Sequence, residues 1–222
     1  MSAILFDMDG TIIDSEPLWL QAEIEVMAEL GSHWDAQDQI NCLGGPMERT
    51  EKYMQERTGN IKPDGYFGKR LNEVMKSKFA KDLAVIPAAL KLLEKARVYG
   101  LKTALVTASG RELMLAAVKK FPEGAFDICI SRDDVIKSKP DPEPYLKAAK
   151  SLNVAISECL IFEDSLTGVK SGLASGAQVV AISHLIEMHN QPNLKVIKNI
   201  DEMSFETLIQ MYPFLKLDHV RE

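Results

Sequence analysis

Short apolar runs alternate with amphipathic stretches along most of the chain. Ala3 to Phe6, Leu101 to Thr107, Phe126 to Ile130, Cys159 to Phe162 and Gln178 to Ile182 are brief and rich in apolar residues, with Gly, Pro, Ser or Asp at their borders. Near-continuous apolarity in so few residues predicts strands buried on both faces, the condition of a parallel sheet. Helical patterns fit Ala88 to Tyr99, Glu112 to Phe121, Glu143 to Leu152 and Leu166 to Ser175, with Gly100 and Gly176 as C-terminal stops. Strand and helix alternate, so the expected class is α/β with a doubly wound parallel sheet. A strand near Lys195 to Lys198 and a closing helix from Phe205 end the pattern.

Between the first strand and the helix near Pro87 lie roughly 80 residues, too many for a strand-to-helix connection and without a β-rich segment. Leu18, Ala22, Val26 and Leu30 stand at spacing four within Asp14 to Leu30, and helices also fit Pro46 to Thr58 and Tyr66 to Phe79. Gly31, Gly44, Gly45 and Gly59 punctuate them. A separate helical unit is therefore expected at 15–82, inserted into a core made of 1–14 and 83–222. The charges of Lys69 to Lys81 read as the solvated face of a helix.

Composition narrows the function. The 222 residues are 46% hydrophobic and 26% charged, the balance of a globular chain and not of a disordered one. The longest apolar runs, such as Leu113 to Val118, fall far short of the ~20 residues of a membrane helix. The N-terminus lacks the basic region of a secretion signal, so cytoplasmic residence is the default expectation. Cys42, Cys129 and Cys159 are widely spaced and read as free core thiols. Scattered basic residues and a net charge of −6 argue against nucleic acid and leave a small polar or anionic substrate. A monomer or weak homodimer is expected, and no membrane partner.

The chemistry collects at strand ends. Leu5-Phe6-Asp7-Met8-Asp9-Gly10-Thr11 carries an apolar strand into two carboxylates one residue apart, followed by Gly. The C-terminal edge of a parallel sheet is where α/β folds bind ligands, and period two starts Asp7 and Asp9 on one side with Met8 packing between them. A calcium loop of the EF-hand type fails, because Thr11, Ile12 and Leu18 occupy positions where it needs an acid or amide, a Gly and a Glu. Three later segments carry matching groups: Val106-Thr107-Ala108-Ser109-Gly110, Ser138-Lys139-Pro140-Asp141-Pro142 and Phe162-Glu163-Asp164-Ser165. Parallel strands would bring all of them to one edge.

Asp7, Asp9, Thr107, Lys139 and Asp164, in this order, resemble the four motifs of the haloacid dehalogenase-like hydrolase superfamily, in its phosphatase branch, and the resemblance spans residues 4 to 182. It implies a Rossmann-like core with an inserted all-helical C1 cap, and Asp14-Ser15-Glu16-Pro17-Leu18 resembles the approach to the cap in sugar-phosphate phosphatases. It implies Asp7 as the nucleophile that forms an aspartyl-phosphate, Asp9 as the acid and then the base, and Lys139 as a fixed positive charge beside them. Thr107, Ala108 and Ser109 would bind the phosphate. Mg²⁺ would be held by Asp7, the Asp9 carbonyl, Asp164 and water. Glu163 is left among three roles: direct metal ligation, ligation through water, or orientation of Lys139. The segment Cys42 to Arg49 resembles the substrate-facing loop of the cap, in which Gly45 permits close approach and Arg49 contacts a hydroxyl or second anionic group. Trp19 packs the hinge or lines the pocket, and His33, His184, His189 and His219 show no spacing that suggests a site.

The expected activity is Mg²⁺-dependent hydrolysis of a small phosphorylated metabolite, a sugar or deoxysugar phosphate foremost, with nucleoside phosphates and phosphoglycolate behind. A β-phosphoglucomutase-type phosphomutase is the alternative. Phosphoglucomutases of the superfamily commonly carry a His where Trp19 stands here, which weakens that alternative, and Asp9 argues against the dehalogenases proper.

Overall fold

A computed structural model describes residues 2–42, 47–183 and 187–215. Its centre is a six-stranded parallel sheet of β1 (Ala3–Phe6), β4 (Lys102–Val106), β5 (Ile128–Ile130), β6 (Cys159–Glu163), β7 (Gln178–Ile182) and β8 (Leu194–Ile197). The order across the sheet is β5-β4-β1-β6-β7-β8, so the chain reverses direction of winding on either side of β1. Ala3 pairs with Lys102 on one flank and with Cys159 on the other. All of β1 is buried, as its unbroken apolar sequence requires.

Alternate residues divide between two cores. Ile4, Phe6, Leu105, Phe162 and Val180 pack with helices α5 (Pro87–Val98) and α6 (Arg111–Val118), and with the closing helix α9 (Phe205–Met211). Leu5, Val106, Ile161 and Val179 face α7 (Glu143–Ser151) and α8 (Leu166–Ser175). The result is a helix–sheet–helix sandwich with Phe6 and Phe162 stacked at 5.5 Å in its middle. Pro in the first turn starts α5 and α7, while Gly176 ends α8 in the left-handed region at φ 89°.

Residues between β1 and α5 form α1 (Glu16–Ala28), α2 (Ala36–Cys42), α3 (Met47–Arg57) and α4 (Tyr66–Asp82). Leu18, Ala22 and Val26 are buried as their spacing predicts, but α1 stops at Ala28 and Leu30 lies beyond it, half-buried. Met54, Phe67, Leu71, Met75 and Phe79 continue the same core. Lys69, Lys76 and Lys81 lie on the solvated face of α4. Two elements differ from expectation. Helix α2 is a seven-residue segment with little apolar period. An antiparallel ribbon of β2 (Ile13–Asp14) and β3 (Ala84–Val85) ties the two crossings together, each strand being too short to leave a pattern. The Ile86 N–H donates to the Ile12 carbonyl at 2.9 Å beside it. No described helix is long and apolar enough to cross a membrane.

Candidate active site

The edge of the sheet beyond the C-terminal ends of β1, β4 and β6 opens into a cleft of about 470 Å³, with α1 to α4 on its far side. Leaving β1, the Asp7 N–H donates to the Phe162 carbonyl at 2.9 Å, so Asp7 is still held as a strand residue. Met8 is fully buried while Asp7 and Asp9 reach the cleft, as the strand period requires. Gly10 turns the chain at φ 71°, and a Cβ there would lie 2.0 Å from Asp164 Oδ2. Only glycine fits both the backbone and the approach of that carboxylate.

Lys139 is the hub of the buried part. Its Nζ donates to Asp7 Oδ1 at 2.5 Å, Glu163 Oε1 at 2.6 Å and the Val106 carbonyl at 2.8 Å, which uses all three of its protons. Burial opposes the charge, but Asp7 and Glu163 hold the ammonium above the usual lysine range. Burial, and next the Glu163 charge, push the Asp7 carboxyl up to about 8 against the pull of Lys139. Asp164 is raised well above the carboxylate range by burial and by Asp7 and Glu163.

Glu163 is fully buried and fully engaged. Its Oε1 also accepts from the Tyr145 hydroxyl at 2.6 Å, and its Oε2 accepts from the Ser165 hydroxyl at 3.1 Å. A Cβ on Gly168 would lie 1.7 Å from Oε1, so the first turn of α8 closes over this carboxylate. Of the three roles open to it, orientation of Lys139 has direct contacts. Still, Asp7, Glu163 and Asp164 each offer an oxygen within 4.8 Å of the others. A cluster of carboxylates, two of them (Asp7 and Asp164) pushed up by burial and by their neighbours' charges, suits a hard divalent cation, whose charge offsets their repulsion.

Asp9 faces the other way. Its Oδ1 accepts from Ser15 Oγ at 2.7 Å and Trp19 Nε1 at 3.2 Å, and its Oδ2 accepts from Ser109 Oγ at 2.8 Å. Donors from the helical insert and from the sheet thus meet on one carboxylate. Thr107 Oγ1 accepts from the Ser109 N–H at 2.9 Å, which fixes the turn after β4. Thr107, Ala108 and Ser109 line the cleft with Asp7, Asp9, Lys139 and Asp164.

The cap-side expectations fare differently. Gly45 lies outside the described residues, as do Gly44, Pro46, His184 and His219. Arg49 is not in the cleft wall: its guanidinium donates to the Asn41 carbonyl at 2.5 Å on the surface, while Met47, Glu48 and Thr50 line the cleft. One helical position rotates a side chain by about 100°, which carries Arg49 off the inner face. The sequence reading also missed Tyr145, which looks like an ordinary core aromatic of α7, and Glu23, which looks like a surface acid of α1. Glu16, within Asp14-Ser15-Glu16-Pro17-Leu18, carries no sequence signal of its own beyond that stretch. Glu16 and Glu23 both line the cleft, and burial pushes each carboxyl up to about 7.

A profile for haloacid dehalogenase-like hydrolases matches residues 4–182. A phosphorylated carbohydrates phosphatase of Thermotoga maritima is 30% identical over 179 residues, which cover 80% of this chain and 83% of that relative. Among solved structures, a HAD hydrolase of family IA, variant 3, from Entamoeba histolytica matches with TM-score 0.80 and 25% identity over 96% of this chain and all of that one. CbbY from Rhodobacter sphaeroides, in complex with phosphate, matches with TM-score 0.79 and 24% identity over 91% of this chain and 96% of that one.

Proposed function

This chain belongs to the haloacid dehalogenase-like hydrolase family, and from that premise we propose that it is a Mg²⁺-dependent phosphatase of small phosphorylated metabolites, a sugar or deoxysugar phosphate foremost. The observation that carries the reading is the pair of acids at the end of β1. Asp7 is fixed by Lys139 at 2.5 Å, and Asp9 is held separately by Ser15, Trp19 and Ser109 in the same cleft.

Asp7 attacks phosphorus as its bond to the leaving oxygen breaks, giving an aspartyl-phosphate. Asp9 gives its proton to the departing alkoxide, then takes one from the water that cleaves the acyl phosphate and restores Asp7. Lys139, Thr107 and the Ala108 N–H offset charge on the phosphoryl oxygens. Asp7, Asp164 and the Asp9 carbonyl would hold Mg²⁺, which would supply neutralisation of the anionic nucleophile and phosphate. Glu163 and Tyr145 keep the Lys139 ammonium in place. Residues 15–82 act as the cap that excludes water and reads the leaving group, with 1–14 and 83–222 as the catalytic core.

The relative named for phosphorylated carbohydrates supports the substrate class. Trp19 supports hydrolysis over a mutase, because an indole N–H donates but cannot take a proton from a second sugar. The test is phosphate release from sugar phosphates, nucleotides, phosphoglycolate and a chromogenic ester, with Mg²⁺ and with chelator. Release from a few sugar phosphates, lost with chelator and in a folded Asp7→Asn variant, is expected. Interconversion of glucose phosphates without release would replace hydrolysis by the mutase reaction.

A further inference from the structure

The cleft has two chemically different sides. The sheet side carries Lys139, Arg111 and Arg132. Each is already matched: Lys139 with Asp7 and Glu163, Arg111 with Asp134 at 2.5 Å, and Arg132 with Glu48 at 3.4 Å. Among the described residues, the helical side contributes Glu16, Glu23 and Glu48 with Gln39, Thr50 and Asn72, and no Lys or Arg.

Glu16 and Glu23 are two turns apart on one face of α1. Glu23 is 5% exposed, and its Oε2 is fixed by the Trp34 indole N–H at 3.0 Å. Its other oxygen and the half-buried Glu16 carboxylate take part in no hydrogen bond or ion pair among the described residues, yet both side chains border the cleft. Burying a carboxyl with oxygens left unpartnered is costly, and Trp34 satisfies only one oxygen of Glu23 and none of Glu16. The partner that repays this cost would arrive with a ligand.

We propose that Glu16 and Glu23 read the leaving group, accepting hydrogen bonds from a neutral, polyhydroxylated one and rejecting one that carries a second negative charge. The inference rests on the phosphatase reading and deepens it. Hydroxyls donate to carboxylates, and Gln39, Thr50 and Asn72 can complete a polyol's pattern. A second phosphate or a carboxylate would instead face Glu16 and Glu23 with no free cation among the described residues of that wall, and like charges brought together in a closed site are strongly disfavoured.

At pH about 8.5, above the value of about 7 to which burial pushes both carboxyls, the test compares glucitol 6-phosphate with 6-phosphogluconate, which share a carbon skeleton and differ in a terminal CH₂OH or carboxylate. In the wild type, kcat/KM should favour glucitol 6-phosphate by about tenfold or more. In Glu16→Gln, Glu23→Gln and the double variant the ratio should fall, about fivefold or more in the double, through a lower KM for 6-phosphogluconate. Should Glu23→Gln fail to fold, Glu16→Gln at its half-buried position carries the same test. A wild-type ratio near one, or a ratio unmoved in every folded variant, overturns the inference while phosphate release upholds the phosphatase. So does release from a chromogenic ester with neither sugar compound accepted. No release from any of the three, with Mg²⁺ present, overturns the phosphatase reading and the inference with it.

Discussion

Asp7 and Lys139 are legible in the sequence because each sits in a short fixed motif, Asp7 at the end of β1 and Lys139 in the Pro-flanked turn before α7, where neighbours in the chain determine where the group points. Arg49 was not legible in this way. Its direction depends on where α3 begins, and a helix that starts at Met47 places Thr50 inward and Arg49 outward. Arg49→Ala should therefore change kcat/KM for sugar phosphates less than about twofold and stability by no more than about 0.5 kcal/mol. Steady-state kinetics on two sugar phosphates and a thermal melt check this.

Glu23 makes the opposite case, an acid that reads as solvated and is buried. Burial pushes its carboxyl from 4.5 up to about 7, so the folded state binds more protons than the unfolded one between those values. The stability present below pH 4.5 is lost as pH rises toward 7. Melting curves of the metal-free protein between pH 5 and pH 8, at about one-unit intervals, should show Tm falling as pH rises, and falling less in Glu23→Gln. An unchanged slope in that variant would remove Glu23 as a source.

At the scale of elements, β1, β7 and α8 lie where the apolar pattern put them, because a buried parallel strand and a Gly-stopped helix leave strong local signals. The shorter ones, α2 and the β2–β3 ribbon, owe their form to contacts made across the chain and leave none. The first turn of α8 shows how packing enters the chemistry. Gly168 leaves room for the Glu163 carboxylate, which orients Lys139. Gly168→Ala should displace that carboxylate, lowering kcat by about tenfold or more and stability by ~1–3 kcal/mol. Gly59→Ala, at φ 71° with nothing within 4 Å, should lower stability alone. Kinetics and melts of the two variants side by side separate loss of the lysine's support from loss of backbone freedom.

For the whole molecule, the acidic cluster predicts a link between metal and stability. Asp7, Glu163 and Asp164 converge from β1 and the end of β6, so a cation bound there favours the native state over the unfolded one. Mg²⁺ at about 100 times its Kd should add ~2.7 kcal/mol, read as a rise in Tm, and Asp164→Asn should lose most of that rise. A Tm indifferent to Mg²⁺ would take the metal away from this cluster.

The β2–β3 ribbon has a consequence of its own. Ile13 pairs with Val85 and Asp14 with Ala84, so the chain departs from the sheet and returns to it at adjacent points. To the sheet, everything between is a single closed excursion, and lengthening such a loop twofold adds only ~0.6 kcal/mol to the entropy of closing it. The architecture therefore behaves like a socket. The segment plugged into it can be exchanged for a longer, shorter or differently charged one while the strands that lead into Asp7 and Asp164 keep their register, leaving the far wall of the cleft free to change while its floor stays fixed.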